Sequence, residues 1–280
     1  MTGRILLVGA TGFLGTHVAA RLAGREVVAL VRPTSDRSQL PPGVAVCEGD
    51  LDAQLPLDGV GPLVYCASMA LPALPRLVPR LEAAGVRRAL FISTTAIFTS
   101  LPAASRGPRL EAERSVMQSS LDWTILRPTM IYGTARDRNI SRLLRYLHRW
   151  PIFPLCGNAL WQPIYVEDLA QAVVAALDAP ATVHQTYNLA GAAPLRFSAL
   201  VRTAAQAVGR SVLLVPIPVE LGVLGARLTH VVTPEQVRRL AEDKAFDTSQ
   251  ARRDFGFVAR TFAEGVRLEA QLLGLAARPR

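Results

Sequence analysis

A chain of 280 residues, half of them apolar, holds enough material for a substantial buried core without covalent staples. Its three cysteines, Cys47, Cys66 and Cys156, stand far apart and never as C-x-x-C, which argues against a disulfide framework or a zinc site and for a reducing, cytoplasmic setting. The net charge of +9 raises nucleic acid as a partner, but the 31 basic residues include a single lysine, Lys244, and the arginines are spread along the whole chain, so the charge reads as a bias toward anionic ligands, a nucleotide among them.

The first predicted strand is the run Arg4-Ile5-Leu6-Leu7-Val8, followed at once by Gly9-Ala10-Thr11-Gly12-Phe13-Leu14-Gly15 and a helix-prone segment from Phe13 to Ala23. Strand, glycine turn and helix in this order are the layout of a dinucleotide phosphate site. Gly9 lets the chain reverse tightly, Gly12 lets a pyrophosphate meet the backbone, and Gly15 lets the helix lie close on the strand. The phosphates then rest on the positive end of the helix. An ordinary strand-to-helix turn would also hold small residues, but the flanking elements match the cofactor reading.

Glu26 to Val31 and Val44 to Glu48 read as the next two strands. In an NAD site an acid stands after the second strand to hold the ribose hydroxyls, whereas an NADP site has an arginine there for the 2′-phosphate. The residue after Val31 is Arg32, and no acid comes before Asp36, so NADP is expected ahead of NAD. The next apolar run, Leu63 to Cys66, follows a stretch, 51–62, that contains Pro56, Gly59, Gly61 and Pro62. A crossover helix is not expected there, because a short extended connection of ~40 Å already spans the ~15 Å across three strands. A helix from Pro72 to Ala84, a strand from Ala89 to Ser93, a helix from about Arg109 to Ser119 and a strand from Asp122 to Pro128 follow. This alternation predicts an α/β fold, a doubly wound parallel sheet covered on both faces.

Beyond Thr129 the pattern is mixed. A basic helix near Asp137 to Arg149, a loop from Trp150 to Asn158, a helix from Glu167 to Leu177, a strand from Thr186 to Ala190 and a helix from Phe197 to Val208 are expected. A short strand from Val212 to Val215 and several helices complete the chain, the last at about Phe262 to Leu275. The organisation read from this is a dinucleotide-binding domain over 1–160, with 161–180 returning to it, and a smaller, discontinuous, mostly helical substrate domain made mainly by 181–280. The apolar residues start at Ile5 with no n-region or cleavage pattern, and the most apolar late run, Val212 to Leu228, is interrupted by Pro216, Pro218 and Glu220, so neither an export signal nor a membrane span is expected. The histidines, His17, His148, His184 and His230, are scattered and suggest no metal pair, and His148 is a candidate for the substrate cleft.

The glycine turn, with Ala-Thr inside and Phe-Leu before its last glycine, resembles the atypical and extended short-chain dehydrogenase/reductase superfamily, the NAD(P)-dependent epimerase/dehydratase relatives with a Rossmann domain. So do Asp122 to Gly133, Gln162 to Ala170, Tyr187 to Gly191 and Asp247 to Phe257, which occur in the superfamily's order over nearly the whole chain. The resemblance implies that Thr11, Phe13 and Leu14 join the glycines at the cofactor and that Asp50-Leu51 meets the adenine, although Gly49-Asp50 also suits a strand-ending turn. It further implies that Ala67, Ser68 and Thr94 line the path from ribose to nicotinamide, with Pro128, Thr129 and Met130 facing the ring.

Reductases of this superfamily use a tyrosine, kept acidic by a lysine four residues on, while a Ser or Thr binds the same substrate oxygen. Ser93 to Phe98 resembles the hydroxyl segment, with Thr95 at the catalytic position and Phe98 where a tyrosine is common. Leu110-Glu111-Ala112-Glu113 fixes the alignment of the next helix, which puts Ser105 at the tyrosine and Arg109 at the lysine. None of the five tyrosines has a lysine four positions later, and Lys244 is far away in the chain. A serine hydroxyl titrates too high to act as the acid, and Arg109 can hold ribose or substrate charge but cannot relay protons. Tyr132, with Arg136 four residues on, is the nearest substitute phenol, its alternative being a packed tyrosine.

These residues predict an NADP(H)-dependent oxidoreductase, or a redox-neutral relative, acting on a small carbonyl or sugar-like substrate. A small molecule is the expected partner, with no nucleic acid and no membrane, and a homodimer is left open. The rival reading is a non-catalytic NADP(H)-binding regulator or structural subunit.

Overall fold

The computed structural model describes residues 3–53, 55–229 and 234–277, so His230 lies outside the described residues. The first half runs β1 (Arg4–Val8), α1 (Gly15–Arg21), β2 (Val27–Val31), β3 (Ala45–Glu48), β4 (Val60–Tyr65), α2 (Leu74–Ala83), β5 (Arg88–Ile92), α3 (Arg106–Met117) and β6 (Asp122–Pro128). The second half runs β7 (Ile131–Tyr132), α4 (Ile140–Arg149), β8 (Ile152–Leu155), β9 (Leu160–Trp161), β10 (Ile164–Tyr165), α5 (Val166–Asp178), β11 (Gln185–Leu189), β12 (Leu195–Arg196), α6 (Phe197–Ala207), β13 (Leu213–Pro216), α7 (Val219–Thr229), α8 (Pro234–Arg239), α9 (Ser249–Phe255) and α10 (Phe262–Leu272).

Seven parallel strands form the main sheet in the order β11-β6-β5-β4-β1-β2-β3. The order reverses between β1 and β4, because the chain goes outward to β3 and then crosses back through a connection without a helix. A crevice at such a reversal, at the carboxyl ends of the strands, is where a nucleotide binds in an open α/β sheet. Strands buried on both faces need apolar residues at every position, and β2, with the sequence VVALV, is buried throughout. Alternation then divides β1 between two layers. Ile5 and Leu7 pack with Val18, Leu22, Leu169 and Val173 under α1 and α5, whereas Leu6 and Val8 pack with Leu74, Leu77, Leu81 and Val116 under α2 and α3. Each such fully buried side chain contributes roughly 1.5–3 kcal/mol.

A third cluster is the core of the cap. Leu144 and Leu147 of α4, Leu200, Val201 and Ala204 of α6, and Phe262, Val266 and Ala270 of α10 meet around Tyr132 and Tyr165. A capping box at Thr261 and Glu264 starts α10.

Two expectations need correcting. Residues 152–155, expected within a loop, form β8, which pairs in parallel with β13 from Leu213↔Ile152 to Pro216↔Leu155. The boundary between sheet and cap is also more interleaved than a division near 160 and 181. β11 lies beyond 181 yet is the outer strand of the main sheet, and α4 and β8 lie before 160 yet pack in the cap. Among the described residues no helix is long and apolar enough to cross a membrane, and no group of three or more His, Cys, Asp or Glu residues could hold a metal.

Candidate functional site

The glycine turn sits at the carboxyl end of β1, and each of its glycines is set by a different contact. Gly9 has φ +80°, and a Cβ there would stand 2.7 Å from the Ala67 backbone nitrogen, so the turn lies directly on the segment that follows β4. At Gly15 a Cβ would come within 2.0 Å of the Gly9 carbonyl oxygen, which is the close approach of α1 to the turn. Gly12 is looser: a Cβ there would meet only the Gly9 oxygen, at 3.0 Å. Its outer side is open for a ligand, so the cradle fits a pyrophosphate. Leu14 is buried under the turn, Thr11 and Phe13 are half-buried along it, and Arg32 is exposed at the end of β2. Asp50 is exposed beside the buried Leu51, and Ser68 is exposed beside the half-buried Ala67.

A cleft of about 800 Å³ opens between the sheet and the cap. Thr94, Thr95, Thr129, Met130, Trp161, Phe197, Lys244 and Phe246 are among the residues that line it. A smaller hollow of about 450 Å³, lined by Gly3, Arg25 and Asp178, lies at the amino ends of the strands, the wrong end of the sheet for a dinucleotide. Thr94 caps the 3-10 turn Thr95–Phe98 by accepting from the Ala96 N–H at 3.2 Å. The Thr95 hydroxyl donates to the Pro128 carbonyl at 3.3 Å, and that of Thr129 donates to the Gln162 carbonyl at 2.6 Å. The first bond holds the hydroxyl segment against the end of β6, and the second ties the residue after β6 to the segment before β10.

Ser105 and Arg109 also meet: Arg109 Nη1 donates to the Ser105 hydroxyl oxygen at 2.8 Å. Burial, and then the nearby charge of Arg239, hold the Arg109 guanidinium below its usual pKa. Tyr132 is not in the cleft. It is 1% exposed, packs edge-on against Tyr165 with ring centroids 5.5 Å apart, and aims its hydroxyl at Gly265 of α10, where a Cβ would stand 2.1 Å from it. Burial raises its pKa far beyond that of an ordinary phenol. Tyr132 as a catalytic acid is therefore corrected to a packing residue. His148 is likewise exposed on the last turn of α4 and is not a lining residue.

Two groups escaped the sequence reading. Arg136, after β7, folds back onto the glycine turn and donates from Nη2 to the Thr11 carbonyl at 3.0 Å. Lys244, remote in the chain, lies on the cleft wall with Nζ 3.9 Å from the Trp161 ring centroid and donating to the Arg239 carbonyl at 2.8 Å. Burial pushes its ammonium down to about 8. The segment that carries it is strapped to both sides. Glu242 accepts from the Thr99 hydroxyl and from Ser100 N–H at 2.8 Å, Lys244 N–H donates to the Leu160 carbonyl at 2.6 Å, and Phe246 N–H donates to Gln162 Oε1 at 3.0 Å. The only sequence signal was composition: Lys244 is the sole lysine in an arginine-rich chain.

The sequence model of the family described as NAD(P)H-binding matches residues 9–180, from the glycine turn through α5. The chain belongs to this family. Its relatives include the mitochondrial NADH dehydrogenase (ubiquinone) 1 alpha subcomplex subunit 9 of Arabidopsis thaliana, 27% identical over 216 residues that cover 65% of this chain and 52% of that one. The chain thus spans about half the length of that curated relative. UDP-glucose 4-epimerase of Vibrio cholerae is 23% identical over 320 residues, covering 97% of this chain and 95% of that one. The solved structure of Thermus thermophilus UDP-glucose 4-epimerase in complex with NAD is similar with a TM-score of 0.74 at 20% identity, over 98% of this chain and 100% of that one. This NAD(P)H-binding chain therefore has the Rossmann fold of the NAD-dependent epimerase/dehydratase proteins.

Proposed function

We propose that this family member is an NADP(H)-dependent oxidoreductase, or a redox-neutral relative, that acts on a small carbonyl or sugar-like substrate held between sheet and cap. The observation that carries the reading is the cleft of about 800 Å³ that runs from Thr95 and Thr129 to the cap, a size suited to a small ligand. Gly9, Gly12 and Gly15 would hold the pyrophosphate, and Arg32, with no acid before Asp36, favours the 2′-phosphate of NADP. When bound, the reduced nucleotide supplies a hydride to the carbonyl carbon. The Thr95 hydroxyl can turn from Pro128 to donate to the carbonyl oxygen, and Lys244, which lines the same cleft with its ammonium near 8, is the group that can give that oxygen a proton near neutral pH.

A second reading, a non-catalytic nucleotide-binding regulator or subunit, draws on the bonded Ser105–Arg109 pair, which has neither a phenol nor an amine where the superfamily has both. The likeness to a subunit of a larger complex is in line with it. One experiment separates the two. The purified chain is mixed with NADPH and a panel of ketones, aldehydes and nucleotide sugars, and cofactor absorbance and sugar isomers are followed. Turnover that disappears in Thr95→Ala supports the enzyme. Tight NADPH binding without turnover on any substrate supports the regulator or subunit. For the cofactor, NADP(H) is expected to bind at least about tenfold tighter than NAD(H), a preference that Arg32→Ala should erase, and equal affinities in the parent chain would contradict it.

A further inference from the structure

β8 and β13 form a two-stranded ribbon on the cap, and its inner face is spoken for: Phe153, Leu155 and Leu214 pack against the cap core. A ribbon whose other face meets water normally carries polar residues there. This one carries none. The outward positions are Ile152 and Pro154 of β8 and Leu213 and Val215 of β13, and the register pairs Leu213↔Ile152 and Val215↔Pro154 put all four on one face. Ile152 is 51% exposed, Leu213 63% and Val215 40%, and Trp150, just before β8, is 54% exposed. Single exposed apolar residues need no explanation, but a contiguous apolar face points to a surface that covers it.

The rim of this face is basic. The Leu213 N–H donates to the Pro151 carbonyl at 2.7 Å, which lays the chain after Arg210 beside the chain after Arg149 at the amino end of both strands. The Arg149 guanidinium stands 5.9 Å from the Trp150 ring centroid. Both arginines are exposed, and among the described residues neither forms an ion pair. The sequence behind them is one-sided: the stretches 138–166 and 179–219, which supply α4, β8, α6 and β13, hold seven arginines and no acid. The charge complement of such a rim is an anionic surface.

Size then decides between kinds of surface. Two strands of four residues make a face ~13 Å long and ~10 Å across, far short of the ~800 Å² per partner of a specific protein interface. A bilayer surface asks for no matching shape. A few apolar side chains and an amphipathic tryptophan enter the headgroup region, while arginines stay with the lipid phosphates. The Tyr146 hydroxyl donates to the Ile152 carbonyl at 2.9 Å, so the end of α4 and the ribbon are held together and present both parts at once.

We infer that the outward face of β8 and β13, with Trp150, Arg149 and Arg210, docks this chain on the surface of an anionic phospholipid bilayer. The inference goes beyond the nucleotide and substrate site and departs from the expectation of no membrane partner. Among the described residues no helix is long and apolar enough to cross a membrane, so the contact is with the surface alone.

The test is flotation of the full chain with vesicles of phosphatidylcholine alone and of phosphatidylcholine with roughly one-third phosphatidylglycerol. Partition onto the anionic vesicles should be at least about tenfold stronger and should weaken at high salt. Joint replacement Ile152→Ser and Leu213→Ser should reduce it about tenfold or more. Arg149→Gln with Arg210→Gln should bring it down toward the value on phosphatidylcholine. These side chains are exposed, so the unfolding midpoint should stay near that of the parent chain, and Trp150→Ser, outside both strands, repeats the apolar test without touching the ribbon. No flotation with the anionic vesicles, equal partition onto both kinds, or binding undiminished in both serine variants would overturn the inference. So would a lipid-free dimer that the paired serine replacement dissociates, because the face would then belong to a second copy of the chain.

Discussion

The Arg136 guanidinium donates to the Thr11 carbonyl at 3.0 Å, so a residue from the loop before α4 lies on the phosphate turn that follows β1. Its charge also reaches Asp36, whose carboxyl is held below its usual value first by the Ser38 N–H and further by Arg136. Arg136 thus lies on the turn where the pyrophosphate would rest, with its charge felt in the loop after β2. Arg136→Ala should weaken NADPH binding about tenfold, with a smaller loss at high salt, where exposed charges are screened. An unchanged dissociation constant, measured by fluorescence titration, would leave Arg136 as a loop fastener only.

If Lys244 delivers the proton, the rate follows the ammonium form. That form is full well below pH 8 and is lost as pH rises through about 8, so turnover should fall on the alkaline side. Lys244→Met should reduce turnover by about 10²-fold or more, whereas Tyr132→Phe should leave it unchanged, since that phenol is sealed against Gly265. Initial rates from pH 6 to 10 check both statements. A flat profile in the parent chain, or full activity in Lys244→Met, would place the acid elsewhere.

What the residues revealed on their own depended on distance along the chain. The turn from Gly9 to Gly15 was legible because a strand, three glycines and a helix within twenty residues encode one local geometry. The Ser105–Arg109 pair was legible for the same reason, since residues four apart on a helix share a face. Lys244 and Arg239 were not, because they reach the cleft only after a segment near 240 has been tied to Leu160, Gln162 and Thr99. β8 was missed because its partner, β13, lies some sixty residues later and the segment alternates poorly by itself. Tyr132 looked available in its local segment, and only the docking of α10 onto it removes it from the cleft.

Glu269 of α10 is fully buried in the cap with no hydrogen-bond partner on either carboxyl oxygen among the described residues. Burial, and then the neighbouring Asp137 carboxyl, push it up to about 10. Unfolded, it titrates near 4.5. A carboxyl with a raised folded-state pKa lends full stability below its unfolded value, and the contribution falls as pH rises from there toward about 10. The unfolding midpoint of the parent chain should therefore drop between pH 5 and 9, and Glu269→Gln, which stays neutral, should flatten that drop. Parallel curves for the two proteins would contradict a protonated Glu269.

The most direct test of the account compares two glycines of the same turn. Gly15→Ala brings a methyl within 2.0 Å of the Gly9 oxygen and should destabilise the fold by about 1–3 kcal/mol. At Gly12 a Cβ meets only the Gly9 oxygen, at 3.0 Å, so Gly12→Val should lower the unfolding midpoint less than Gly15→Ala while its bulk fills the space the pyrophosphate needs. The measurement is calorimetric titration of NADPH into the parent chain and Gly12→Val. The account predicts binding in the parent and a loss of at least about a hundredfold in the folded variant. Equal affinity in both would contradict it, since the turn would then be a structural bend with no part in holding the nucleotide.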